Sequence, residues 1–249
     1  MKTLKVLSAL LSYPTRDLQL ASGELKAVLH SEAVLPRRHL ASVVAFIDDL
    51  ASRDILDAEE RYVLLFDRTR SLSLHLFEHV HGESRDRGQA MVDLLKVYED
   101  AGYSPTATEL PDYLPLFLEF ASTRPPAEAL ELVGQPGHVL AALRERLAKR
   151  RTPYEAVLAA LVALAKVRLD SAQLTALRSE PDPEPDDLEA LDAAWKEEEV
   201  VFGPGAASDC GVDGLAARLR QARRPAPGID RPARTGPATI ISTPSSPRT

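Results

Sequence analysis

The residues best equipped for chemistry in this chain lie between Ser73 and Leu94, in the stretch SLHLFEHVHGESRDRGQAMVDL. It holds three histidines, two arginines and four carboxylates around a pair of glycines. His75, Glu78 and His79 match H-x-x-E-H, the inverted zincin pattern. On a helix, His75 and His79 would stand one turn apart on one face with Glu78 beside them, and two such imidazoles can bind zinc. A catalytic zinc needs a third protein ligand and an open position. His81 follows too closely to supply it from the same side, which leaves His30, His39, His138 or a distant carboxylate. Three fixed positions in five residues specify little by themselves. The plainer reading makes His75 and His79 partly buried, hydrogen-bonded helix residues, with Leu72, Leu76, Phe77 and Val80 as core contacts.

The following HGESRDRGQ is a separate signal. Gly82 permits a left-handed turn. Arg85 and Arg87 lie close in sequence to Glu83 and Asp86, as a solvated ion-pair set worth under ~1 kcal/mol per pair, a brace for a helix–helix corner, or a face for a bound peptide. The phosphate-binding patterns G-x-x-x-x-G-K-[ST] and G-x-G-x-x-G and the nucleophile elbow G-x-S-x-G do not occur. Cys210 is the single cysteine and sits in a Gly-rich stretch unsuited to holding a nucleophile. With one cysteine there is no intrachain disulfide and no multi-cysteine metal site, which suits a reducing compartment.

The elements that must position these residues read as helices. Of 249 residues, 45% are hydrophobic, with Ala and Leu dominant, a bias toward helix over strand. The spacing predicts helices over about Lys2–Ser12, ending at Tyr13-Pro14, and over Asp17–His30. Another follows Pro36, with Leu40, Val43, Val44, Ile47 and Leu50 on one face. Asp57 is the expected N-cap of the next, with Glu60 as capping-box partner and Tyr62, Val63 and Phe66 inside. A helix is expected over Leu72–His79, stopped by Gly82, then one over Arg85–Ala101 capped by Ser84 and ended by Gly102. With Asp112 as N-cap, Pro115 falls in the first turn of a helix over Tyr113–Ser122, where its missing N–H costs nothing. Helices near Pro125–Gly134, Pro136–Arg150 and Pro153–Arg168 complete the body, the last apolar nearly all round and therefore central. No alternating strand pattern is apparent.

The formal charge of −7 argues against a general nucleic-acid role. Glu180–Val200 carries ten carboxylates and one lysine, whereas the residues from Pro204 onward carry seven arginines against three aspartates. Residues 179–202 read as an acidic linker with a short helix over Asp187–Val200, Trp195 facing inward. Residues 203–249 read as a mostly disordered Pro/Arg-rich tail with one basic helix over Val212–Arg223, which should be dispensable beyond Phe202. The start, MKTLKVLSALLSYP, has too short an apolar run and no near cleavage site for a signal peptide, and no stretch approaches a membrane span, so a soluble cytoplasmic protein is expected.

Three segments carry a family resemblance: LLSYP (Leu10–Pro14), YVLLFDRTRSLSLHLFEHVHGESRDRGQAMVDL (Tyr62–Leu94) and ELPDYLPLFLEF (Glu109–Phe120). They resemble the NarJ-type nitrate reductase assembly chaperones, within the wider group of molybdoenzyme chaperones related to TorD and DmsD, over roughly residues 1–170. The resemblance implies an all-α, single-domain helical bundle over residues 1–178, with no catalysis and no cofactor of its own. It implies that the partner is the immature catalytic (alpha) subunit of respiratory nitrate reductase, with its N-terminal peptide, held competent while the molybdenum cofactor is inserted. Matched motif by motif, the client groove would be lined by Tyr62, Phe66, Asp67 and Arg68, by His75, Glu78, His79, His81, Glu83, Arg85, Asp86 and Arg87, and by Glu109, Pro111, Asp112, Tyr113 and Glu119. Such a groove takes an amphipathic client helix on an apolar floor with rim charges to orient it, and a net negative chain suits a basic peptide. A zinc hydrolase using His75, Glu78 and His79, or a helical scaffold with another partner, are the competing readings.

Overall fold

A computed structural model describes residues 1–82, 84–105, 109–165 and 171–179, together with Asp182. The expected acidic linker, its short helix, the basic helix and the disordered tail therefore lie outside the described residues, as do Glu83 and the side chain of Arg85. The described residues are all-α, and their only β feature is an isolated antiparallel bridge between His75 and Tyr113. In chain order the helices are α1 (Lys2–Leu11), α2 (Arg16–Leu20), α3 (Ser22–Glu32), α4 (Arg37–Ser52), α5 (Ile55–Tyr62) and α6 (Glu78–His81). They continue as α7 (Arg85–Asp100), α8 (Leu114–Ser122), α9 (Pro126–Gly134), α10 (Gly137–Lys149), α11 (Glu155–Ala165) and α12 (Ser171–Ser179).

The apolar faces explain the packing. α11 has Ala156, Val157, Leu158, Ala159, Ala160, Leu161 and Leu164 buried, and it touches α1, α4, α9 and α10, so the expected central helix is central. α1 buries Leu4, Leu7, Leu10 and Leu11 and lies along α8, a predominantly apolar helix that buries Phe117, Leu118 and Phe120, the last against Tyr98 and Tyr103. α4 contributes Val43, Phe46, Ile47 and Leu50; Phe46 joins the face expected from the sequence, and Leu40 and Val44 lie at its margin.

Several boundaries differ from expectation. The helix expected over Asp17–His30 is two helices, broken at Ala21, which turns the Gln19 amide onto the last carbonyls of α4 at Leu50 and Arg53, both at 2.9 Å. The N-cap of α5 is Asp54, whose carboxylate accepts from the Leu56 amide at 2.9 Å; Asp57 sits in the first turn, favoured there by the helix dipole. After Tyr62 the backbone widens into a π-helical turn over Val63–Asp67, where the Arg68 amide reaches the Val63 carbonyl at 3.0 Å.

The largest departure is the segment around His75 and Glu78. Leu72–His79 is not a helix. A 3-10 turn over Arg70–Leu72 leads into non-helical backbone, extended at Ser73 and bent at Leu74, which reaches the bridge at His75, and α6 begins only at Glu78. The segment is buried almost throughout, from Ser71 to Leu74 and again at Leu76 and Phe77, with His75 alone half-buried.

Candidate functional site

The non-helical segment hangs from Asp112. This residue is 0% exposed. Its carboxylate accepts the Phe77 amide at 3.1 Å and lies 3.4 Å from His75 Nδ1, while its own carbonyl accepts the Leu76 amide at 3.0 Å. Next to it the Leu114 amide donates to the Leu74 carbonyl at 2.8 Å, and Tyr98 donates its hydroxyl to the Pro111 carbonyl at 2.7 Å. Asp112 therefore does not cap α8, whose N-cap position is Tyr113 without a side-chain cap; the carboxylate is spent on another segment. Pro115 still falls in the first turn, as the spacing requires.

An aromatic cluster runs from this hinge to the surface. The Tyr113 ring lies against His75, centroids 5.4 Å apart, and its hydroxyl is 3.0 Å from that of Tyr62. Tyr62 gives its hydroxyl proton to the Leu11 carbonyl at 3.0 Å, so the bond between the two tyrosines is donated by Tyr113. Tyr13 packs edge-on against Tyr62 at 5.5 Å and remains 45% exposed. Inward, Phe66 contacts Tyr62 at 4.9 Å and Tyr154 at 5.0 Å. The outer end has a buried, rigid aromatic floor with a wet edge, the kind of surface that binds peptides at low entropic cost.

Carboxylates rim that edge. Burial, followed by the charge of Glu59 and its hydrogen bond with the hydroxyl, and then by Asp67, pushes the Tyr13 phenol upward. Burial, with Glu109 and Asp67 acting in the same sense, does so at Tyr113, and burial pushes Tyr62 up furthest. Among the described residues, Glu59, Asp67 and Glu109 form no ion pair. The hydrogen bond to Asp112 raises His75 above its ordinary range.

A second cluster sits at the corner between α6 and α7. Glu78 accepts from Arg87 at 3.0 Å, and His81 packs edge-on against Phe77 at 5.4 Å. Burial lowers the His81 pKa, with Asp86 and Arg87 acting in opposite senses. Gly82 turns the corner at φ 55, ψ −129, a conformation open essentially to glycine.

The structure thus brings Tyr62, Phe66, Asp67, His75, Glu109, Pro111, Asp112 and Tyr113 into one neighbourhood and Glu78, His81, Asp86 and Arg87 into another. Tyr62, Phe66 and Asp112 are buried and shape the face from beneath. Arg68 is exposed at the end of the π turn, and Glu119 pairs with Lys5 at 3.5 Å and joins neither group. Tyr13 and Glu59 belong to the face although neither was among the expected groove residues; Tyr13 lies in the LLSYP motif, whereas Glu59 lies outside every matched segment.

The zinc geometry fails on the same observations. His75 is on non-helical backbone and directs Nδ1 to Asp112, whereas His79 is on α6 and places Nε2 2.7 Å from the Ser73 carbonyl. They do not share a helix face. No group of three or more His, Cys, Asp or Glu among the described residues is placed to hold a metal.

The profile of the nitrate reductase delta subunit family matches residues 30–160. The chain belongs to that family. Among similar delta-family proteins is the nitrate reductase molybdenum cofactor assembly chaperone NarJ of Escherichia coli K12, 41% identical over 218 residues, which is 88% of this chain and 91% of that protein. The probable assembly chaperone NarW of the same strain is 40% identical over 210 residues, 84% of this chain and 87% of NarW. The probable NarJ of Bacillus subtilis strain 168 is 32% identical over 161 residues, 65% of this chain and 86% of the relative. A match of 218 residues reaches past the 170 or so that the delta-family motifs cover, and cannot end before Phe202. Among the described residues, no helix of this delta-family chain is long and apolar enough to cross a membrane.

Proposed function

We propose that this chain is a system-specific chaperone that binds the immature catalytic subunit of a respiratory nitrate reductase and keeps it competent for molybdenum cofactor insertion and complex assembly. The observation that carries the reading is family membership, with relatives named as nitrate reductase molybdenum cofactor assembly chaperones matched over about nine-tenths of both chains. The docking element is the face around Tyr13, Tyr113 and His75, with the Glu78–Arg87 corner as its margin. It takes the N-terminal peptide of the catalytic subunit as an amphipathic, cationic helix. Apolar client side chains lie on the tyrosine floor, and cationic ones meet Asp67 and Glu109, together with Glu59 beside the Tyr13 hydroxyl.

In this reading residues 1–178 form the chaperone domain, residues 179–202 a linker and residues 203–249 a tail. The chain works in the cytoplasm, carries out no reaction and leaves once the enzyme is assembled. Affinity capture from nitrate-respiring cells tests it directly. Enrichment of the nitrate reductase catalytic subunit, with cofactor-free enzyme accumulating in cells that lack the chain, is the expected result. A strain without the chain that still makes fully metallated enzyme would refute it.

A further inference from the structure

The non-helical segment is anchored at two ends. At one end are Asp112 and Leu114. At the other is α10. Arg146, buried at 7% exposure, donates to the Ser71 carbonyl at 2.6 Å from one guanidinium nitrogen and to the Leu177 carbonyl at 2.6 Å from another. Asp182, beyond α12, accepts from the Ser71 hydroxyl at 2.7 Å, from Arg150 at 2.6 Å and from Lys149 at 3.3 Å. Burial alone would raise the Asp182 carboxyl, but hydrogen bonds from Arg150 and Ser71 outweigh it and hold the group below the usual carboxylate range. Leu174 and Leu177 of α12 are buried.

The geometry points to Asp182 and Arg146 as positioning residues for the docking face, acting through Ser71. Three residues after Ser71 comes Leu74, whose carbonyl takes the Leu114 amide, and then His75, which packs on Tyr113. Ser73 lies between them: its hydroxyl accepts the His75 amide at 3.2 Å, and its carbonyl faces His79 at 2.7 Å. A connection of so few residues, whatever its conformation, has little slack, so fixing Ser71 fixes where the bridge forms. Charge-assisted bonds suit this task because their geometry is specific, and those of Arg146 are buried while those of Asp182 to Ser71 and Arg150 are half-buried. The α12 segment thereby reports its docked state to the client face. This rests on the proposed function for the identity of the ligand, but its structural half does not.

The test uses the full chain with Asp182→Ala, and Asp182→Glu as the conservative replacement that keeps the charge. Hydrogen exchange of the bridge amides of Leu76 and Leu114 is read beside amides of α1. Affinity is measured for a synthetic peptide of the cognate catalytic subunit's N-terminus. Asp182→Ala should speed exchange at Leu76 and Leu114 selectively and weaken peptide binding roughly tenfold, within the range for residues acting through a packed network, with Asp182→Glu restoring most of both. Unchanged bridge exchange, or exchange that rises equally in α1, overturns the inference. If the wild-type chain does not bind the peptide, the functional reading fails and the exchange measurement still decides the coupling.

Discussion

The carboxylate of Asp112 accepts the backbone N–H of Phe77 at 3.1 Å across 35 residues of sequence, in a site closed to solvent. Through this bond the start of α8 holds the segment that carries His75. Removing the carboxylate strands a buried donor, and a buried donor left unpaired costs about 1–3 kcal/mol. Asp112→Ala should therefore lower unfolding stability by that amount, while Asp112→Asn, which keeps an acceptor, loses less. Chemical denaturation of the two variants checks it; equal losses would mean that charge, not hydrogen bonding, dominates.

His75 gives the fold a pH dependence of definite sign. Its pKa is raised above 6.5, by the hydrogen bond to Asp112 first, with burial opposing and Asp112's charge assisting. Such a group contributes stability fully below its unfolded pKa and loses it as pH rises through the higher folded value. The stability gap between wild type and His75→Gln should be widest below pH 6.5 and shrink above it. Comparing the pair at each pH matters, because burial shifts His39 and His81 downward and their contributions run the other way. A gap that grows with pH would contradict the assignment.

Gly82 turns between α6 and α7 at φ 55, and open space surrounds the position where a Cβ would sit. Any cost of Gly82→Ala is thus backbone strain alone, about 1–3 kcal/mol. The thermal midpoint should fall without a packing defect, and the Glu78–Arg87 pair should loosen with it. A variant as stable as wild type would show that the corner relaxes freely.

The outer face should lose its client when its wet edge is stripped. Tyr13→Ala and Glu59→Gln are expected to weaken binding of the catalytic subunit's N-terminal peptide, the first by roughly tenfold or more if it acts as an aromatic anchor. The Glu59 effect should fade as salt is raised, since exposed charges are screened within about 8–10 Å. Calorimetric titration at two salt concentrations distinguishes them; two variants binding as wild type would move the docking face elsewhere.

Zinc should bind without defined stoichiometry. His75 and His79 are held by different partners on different backbone, so gathering them around one ion means breaking the Asp112 and Ser73 contacts. Equilibrium dialysis followed by metal analysis settles the point, and one tightly held zinc per chain would restore the hydrolase reading.

The amino-acid sequence by itself determined the helical class and most helix ends. Pro14 and Gly102 lie where helices stop, Pro115 and Pro126 lie in first turns, and the apolar circumference of α11 places it at the centre. These are local signals, written in spacings of three and four residues and in the conformations proline and glycine allow. Only tertiary structure decided that the helix expected over Leu72–His79 gives way to non-helical chain from Ser73 to the bridge at His75. So short a run of leucines fits a helical count as well as any other, and the choice fell to bonds from Asp112, Leu114 and Arg146. The role of Asp112 was hidden for the same reason. A carboxylate before a helix reads as a cap, and nothing in local spacing says that a backbone amide 35 residues earlier will claim it. Tyr13 and Glu59 share a face because Tyr62, at the end of α5, packs on Tyr13 and bonds the Leu11 carbonyl at the end of α1, and contact between segments so far apart in sequence is a property of the folded chain alone.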